Sequence, residues 1–452
     1  MNNIITILDI PILLITVFIV YWIFFKIRDK RYPKGHPWRP YFIPALTFKI
    51  AGAIFVTLIY AYYYKGGDTI NYFNQAKIIN SSLSDSFIKW IKLLTQTPTI
   101  YTSGYYEYIS QLFWYKEDPS TYYTCAITAV LSLCTLETLL PTAVLFAVLS
   151  FSGIWALFQT FAKIYPSLTK PIAIAACFIP SVAIWGSGIF KDTICMFALG
   201  WLCFTTFEVL INKKISFKYL LTLTLSILVL GLIKVYILMA FLPAIVMWIL
   251  FNYSKSIKNQ TVRLVLIIFV IAITIGISYL FFMQLGSETL GKYSLDKIAK
   301  TAIITRDYIV EKSSDQSSAY DLGDYSSIEE MILKFPAAVN VTLFRPYLWE
   351  SSKLIVLFNA IESLLYLLIT IKVLFSVGLR KIWKTIISDP NIQFFLIFTF
   401  IFAFAIGLTS GNFGTLSRYK IPCLPFYLMA LALIFYKNKS IKEKHLFKLI
   451  GL

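Results

Sequence analysis

Apolar residues run along this chain in long, nearly uncharged stretches, separated by short polar intervals. Stretches of this length predict membrane-spanning helices, since about 20 apolar residues rising 1.5 Å each cross the hydrocarbon core. About eleven spans are expected, over residues 4–25, 42–63, 138–162, 171–186, 190–211, 217–233, 235–251, 262–283, 353–376, 392–409 and 419–436. The expected fold class is therefore all-α, a polytopic membrane protein forming a single integral membrane domain over 1–452. Two long intervals interrupt the rhythm. In 64–137, apolar and aromatic positions such as Tyr105, Tyr108, Ile109, Leu112 and Phe113 recur at helical spacing, which predicts amphipathic helices lying along the membrane surface. The stretch 121–138 reads as a further interfacial or re-entrant helix. In 285–352, the Ser-rich stretch 311–330 reads as a mobile loop. No repeat of 20–50 residues is visible, which excludes solenoids and propellers.

Composition supports this picture. The chain has 452 residues, 58% hydrophobic and 14% charged, against about half and a quarter in soluble domains, so no large soluble domain is expected. Residues 4–25 lack a basic leader and a small-residue cleavage site, and read as a retained anchor. The net charge of +18 changes the picture more. Nucleic acid is not the expected partner, because the basic residues concentrate in alternate short loops. The 26–41 loop carries six, Lys163, Lys170, Lys213, Lys214 and Lys218 follow in later loops, and Arg380, Lys381 and Lys384 sit between two late spans. By the positive-inside rule these loops are cytoplasmic. That places the N-terminus outside, the C-terminus inside, and 64–137, 285–352 and the turns near 187–191 and 410–418 on the outer face of a cell (plasma or inner) membrane. Of the six cysteines, four lie in apolar runs and none forms a CxxC pair, so no disulfide framework is expected. His36 and His445 are both assigned to the cytoplasmic side, which leaves no outer histidine for a metal site or triad.

The candidate chemistry therefore lies on the outer face. In "YYYKGGDTINYFNQA", Gly66 and Gly67 end a span, and Asp68 is placed to cap a helix beginning at Thr69. Asn71, Tyr72 and Gln75 share its helical face, and a carboxylate in such a polar cluster can take a proton from a hydroxyl or hold a divalent metal ion. In "PSVAIWGSGIFKDTICMF", Lys191 and Asp192 follow a Gly186-Ser187-Gly188 turn, where they form either a surface charge pair or part of a site. Arg418 and Lys420 in "GNFGTLSRYKIPCLPF", Lys234 in "GLIKVYIL" and Arg345 in "LFRPYLWES" are candidates to bind phosphate, or else cations snorkelling at span ends. Glu362 lies inside a span and is expected to face other helices.

The spans, together with "GGDTINYFNQA" and "PSVAIWGSGIFKDTICMFALGW", resemble the glycosyltransferase-C superfamily over roughly residues 42–250. The likeness is to its family-39-like group, which uses polyprenyl-phosphate sugars. It implies transfer of a sugar to a glycan, lipid or protein acceptor at the outer leaflet, with Asp68 and Asp192 as the two functional acids and Tyr72 and Gln75 beside the first. A divalent metal ion on these acids is left open. The segment "NFGTLSRYKIPCLPF" also resembles bacterial surface-polysaccharide polymerases, which would lean on outer arginines. A transporter is the alternative from another class.

Overall fold

The computed structural model describes residues 4–254, 298–312, 318–325, 327–351 and 353–438. The expected span 262–283 and the basic residues Lys255, Lys258, Arg263, Lys439, Lys442, Lys444 and Lys448, with His445, lie outside them. Among the described residues the fold is helical, with a single isolated bridge, Ala319 to Asn412, as its only extended pairing. Seven helices of the described residues are long and apolar enough to cross a bilayer, or eight when one bent pair counts as a span. The chain is a multi-pass membrane protein. The described residues divide into two compact units, Met1–Leu238 and Met239–Leu452.

The first unit opens with α1 (Asp9–Arg31) and α2 (Arg39–Leu58), the latter prolonged by a π-helical turn, Ile59–Tyr63. Four shorter helices follow: α3 (Asp68–Ser81), α4 (Phe87–Leu94), the single turn α5 (Tyr106–Ile109) and α6 (Pro119–Leu133). Helices α7 (Leu139–Ile164), α8 (Thr169–Cys177), α9 (Pro180–Trp185), α10 (Lys191–Leu210) and α11 (Phe217–Ile233) complete the unit, and the division falls within α12 (Val235–Ser254). The sequence pattern predicts a surface helix through 102–115, but only Tyr106–Ile109 forms one. The rest is a chain of turns, with Gly104 at φ +79°.

The expected span at 171–186 is broken. Pro180 disfavours helical geometry in the residue before it, and Ile179 is extended at φ −82°, ψ 121°. Two short helices replace the one expected. The second of them is held by α2: Lys49 donates to Val182 O at 2.8 Å and Gly186 O at 2.9 Å, and to Ser150 Oγ of α7 at 3.1 Å. Three residues along, a Cβ on Gly52 would lie 2.1 Å from Ala183 O, so only glycine lets the two backbones approach this closely. A second close crossing joins α7 to α10, where a Cβ on Gly200 would stand 1.9 Å from Gly153 O. Small residues at such crossings give packing that lipid cannot compete with.

Contacts sort the helix ends of this unit. At one end Tyr32, between α1 and α2, accepts from Trp155 Nε1 at 2.8 Å, and Lys163 meets Glu208 at 2.5 Å, joining the ends of α7 and α10. The six basic residues of the 26–41 loop and Lys163, Lys213 and Lys214 belong to this end. At the opposite end Asp9 Oδ1 accepts from Leu140 N at 2.9 Å, and the starts of α3, α6 and α10 meet.

The second unit contains α13 (Ile298–Lys312), α14 (Ile328–Leu333), α15 (Phe335–Phe344), α16 (Leu354–Val377), α17 (Leu379–Ser388), α18 (Pro390–Thr409), α19 (Phe413–Tyr419) and α20 (Leu424–Asn438). The expected span 419–436 is also modified: α19 and α20 meet at 68°, across a stretch where Pro422 cannot donate to a helical ladder. Of the Ser-rich stretch, residues 320–324 are anchored. Tyr320 N donates to Gly411 O at 2.9 Å, and Arg306 bridges Asp321 and Asp324 at 3.4 and 3.0 Å.

Candidate functional site

Glycines and aromatics bring together the end of the first unit that holds the two motifs. Gly67 sits at φ +99°, a left-handed conformation that disfavours any side chain, and a Cβ there would meet the Tyr60 ring at 2.8 Å. Tyr60 in turn packs on Phe190, with ring centroids 5.3 Å apart. The turn before Asp68 is thus locked to the turn before Lys191. Thr69 Oγ1 also lies 3.5 Å from Ile189 O, at the limit of a hydrogen bond. Asp68 itself is the first residue of α3, with Gly67 as the cap, so it is not the cap expected from sequence. Its charge at a helix start is favourable, and it is half-buried.

Lys191 and Asp192 do not pair with each other, as a surface charge pair would. Asp192 is 1% exposed and lies in the first turn of α10, where Lys234 Nζ reaches its Oδ1 at 2.5 Å. Lys234 is the single non-helical residue between α11 and α12, at φ −146° and ψ 78°, so the helix break delivers its ammonium to α10. Lys191 turns instead to the start of α6, donating to Ser120 Oγ at 2.8 Å and standing 3.6 Å from Asp118 Oδ2. The charges of Asp118, Lys234 and Asp68 all act on Lys191. The structure therefore gathers Asp68, Lys191, Asp192 and Lys234 at one end of the bundle and adds two residues that the sequence reading did not single out, Asp118 and Ser120. The signal for them was present in "EDPST", an acid placed before Pro-Ser-Thr as in a helix start. Asp118 caps α6 by accepting from Thr121 N at 3.2 Å and Ser120 Oγ at 2.8 Å. Burial pushes its carboxyl up, but Lys191 and the Thr121 and Ser120 hydrogen bonds outweigh that and hold it below the usual value.

Tyr72 and Gln75 have other surroundings than expected. Both are buried, while Asn71 faces outward. The Gln75 amide accepts from Phe113 N at 2.9 Å and donates to Gln111 O at 3.3 Å, and Tyr72 packs edge-on to Trp114 at 5.9 Å. Gln75 thus pins the 111–113 backbone. Within the same 64–137 segment, Tyr108 donates to Asp85 Oδ2 at 2.6 Å. Among the described residues no three His, Cys, Asp or Glu side chains converge to hold a metal ion, and Asp192 is engaged by an ammonium.

The remaining candidates belong to the second unit. Arg345 Nε contacts both Glu350 oxygens, at 3.0 and 3.1 Å, and its guanidinium lies over the rings of Phe413, Tyr320 and Tyr347 at 5.2–5.9 Å. Burial raises the Glu350 carboxyl, but hydrogen bonds from Arg345 and Tyr347 N outweigh it and bring it below its ordinary value. Lys420 is 1% exposed and donates to Ser363 Oγ at 2.9 Å and Arg345 O at 3.3 Å, within reach of the Glu362 charge. Arg418 ends α19 and is half-buried. Asn359, Glu362, Ser363 and Tyr366 form one buried polar stripe on α16. Compared with known protein families, curated proteins and solved structures, the chain matches none.

Proposed function

We propose that the chain is a membrane glycosyltransferase that moves a sugar from a polyprenyl-phosphate donor to a glycan, lipid or protein acceptor on the outer face of the cell membrane. The observation that supports this reading is the convergence of Asp68 and Lys191, from separate crossings, at the bundle end opposite the basic loops. Asp68 is the general base. As the acceptor oxygen attacks the anomeric carbon, its proton passes to the Asp68 carboxylate. The bond from that carbon to the phosphate oxygen breaks, and its electron pair leaves with the lipid phosphate. Lys191 meets the departing phosphate by exchanging Asp118 for a phosphate oxygen, since its contact to Asp118 is long and Asp118 is solvent-accessible. The buried Lys234–Asp192 pair fixes the start of α10 and so aims Lys191. The N-terminus is then outside and the C-terminus cytoplasmic.

The test is sugar transfer from a synthetic polyprenyl-phosphate sugar by purified protein in liposomes. Removal of a general base costs about 10²–10⁴-fold, so Asp68→Asn is expected to lose that much while Asp68→Glu retains part of the activity. Full activity in Asp68→Asn, together with loss in Arg418→Ala, would favour polymerisation of lipid-linked repeats instead. Transport is the reading favoured by the α8–α9 break beside the buried Lys49, because broken helices with a charge at the break are a transporter device. Solute flux without sugar transfer would establish it.

A further inference from the structure

Helix α17, "LRKIWKTIIS", joins two spans of the second unit and is too short to cross a membrane. Its buried position, Thr385, accepts from Asn438 Nδ2 at 2.8 Å and ties the helix to the end of α20. Leu379, Trp383 and Ile387 follow one another at four-residue spacing on a single stripe, and they are 74%, 66% and 54% exposed. Water would not tolerate such a stripe without a partner. It also continues a lipid-facing surface, because Phe375, one turn earlier at the end of span α16, is 87% exposed. Beside the stripe, at 100–200° around the helix from Leu379, lie the exposed Arg380, Lys384 and Lys381. Apolar positions on one arc and basic ones on the next form the pattern of a helix lying in the membrane interface, with side chains in the acyl boundary and cations among headgroups.

We propose that α17 is an interfacial helix docked on an anionic phospholipid surface, with Trp383 as its acyl-chain anchor and Arg380, Lys381 and Lys384 as its headgroup contacts. The occupant is a bilayer and not a protein, because the apolar stripe is contiguous with the exposed face of a span, and the adjacent charge is of one sign. The loop is thus a lipid-composition sensor held between two spans, independent of the sugar-transfer reading.

The experiment uses the full chain in nanodiscs of phosphatidylcholine, with or without phosphatidylglycerol. In discs with acyl-brominated lipid, the tryptophan emission that distinguishes the protein from Trp383→Phe is expected to be quenched. Each basic residue near an anionic surface contributes about fivefold in affinity, so three give about a hundredfold. Amide exchange across 379–388 is therefore expected to slow by about that factor when phosphatidylglycerol is added. Arg380→Gln/Lys381→Gln/Lys384→Gln, whose changes are all on the surface, is expected to erase the difference between the two lipid compositions. An unquenched Trp383 would overturn the proposal, as would exchange of 379–388 that is the same in both compositions.

Discussion

Replacing Lys234 with methionine tests the site's organisation at its most buried interaction. The Lys234 and Asp192 side chains are 7% and 1% exposed, and their charged atoms approach to 2.5 Å. With an effective dielectric of about 20, the attraction at that distance is roughly 7 kcal/mol, and desolvating both groups offsets most of it. The pair as a whole therefore contributes little net stability, but either half alone is expensive. Lys234→Met removes the cation that meets the buried Asp192 carboxylate at 2.5 Å, at an expected cost of about 3–5 kcal/mol. The same range applies to Asp192→Leu, which removes the carboxylate facing that ammonium. The double variant Lys234→Met/Asp192→Leu fills similar volumes without charge and is expected to regain most of that loss. Unfolding in mixed micelles titrated with denaturing detergent gives all four corners of the cycle. If both single variants fall within about 1 kcal/mol of the parent, or the double variant loses the sum of the two, the buried-pair argument is wrong. Activity separates two roles for the pair. A stable but inactive double variant shows that the charges themselves aim Lys191, whereas a stable and active one makes the pair only a fastening for α10.

Other expectations follow from the packing and from the contacts within residues 64–137. Gly200→Ala places a methyl group 1.9 Å from the Gly153 carbonyl and should destabilise by about 1–3 kcal/mol or more. Gly231→Ala, whose Cβ meets nothing nearer than 3.9 Å, should instead gain about 0.5–1 kcal/mol of helix propensity, and thermal unfolding in detergent ranks the two. Lys49→Met removes the donor to two carbonyls and a hydroxyl, each worth about 1–3 kcal/mol when buried unsatisfied. It is expected to loosen α9, seen as faster amide exchange over 180–186. The Tyr108 hydroxyl, bonded to the Asp85 carboxylate and partly desolvated, is pushed up to about 12, and Asp85 is correspondingly held below its usual value. Tyr108 therefore supports this tether fully below about pH 10 and loses its support as pH rises through about 12, while Asp85 supports it above about pH 4 and loses it as pH falls further. Tyrosinate absorbance, compared with Tyr108→Phe, should show that late titration move back toward 10 in Asp85→Asn.

Hydropathy located most spans, including α12, which runs through Pro243 without breaking. Helices α1, α2, α7, α10, α16 and α18 lie where hydropathy put them. It misled at 171–186 and 419–436, because hydropathy sums side chains while Pro180 and Pro422 act on the backbone. The same limit shaped the site. Asp68, Asp192, Lys191 and Lys234 were recognisable as polar residues at span ends, but which cation faced which acid was not, since that depends on where a helix break aims its side chain. Lys234 reaches Asp192 from the one-residue break between α11 and α12, and Lys191 is left to turn toward Asp118. Adjacency in the sequence left a Lys191–Asp192 pair as one of two readings, and the structure gives each of them a different partner. Gln75 shows a further limit: helical spacing placed it on the face of Asp68, and two turns along that face its amide is bonded to the 111–113 backbone, a contact that periodicity alone does not reveal. Lys49 was visible as a charge within an apolar run, and its meaning came only with the break, whose freed carbonyls at Val182 and Gly186 need a donor that lipid cannot provide. A lysine in the middle of one span is thus the counterpart of a proline in another, and the two must be read together for either to make sense.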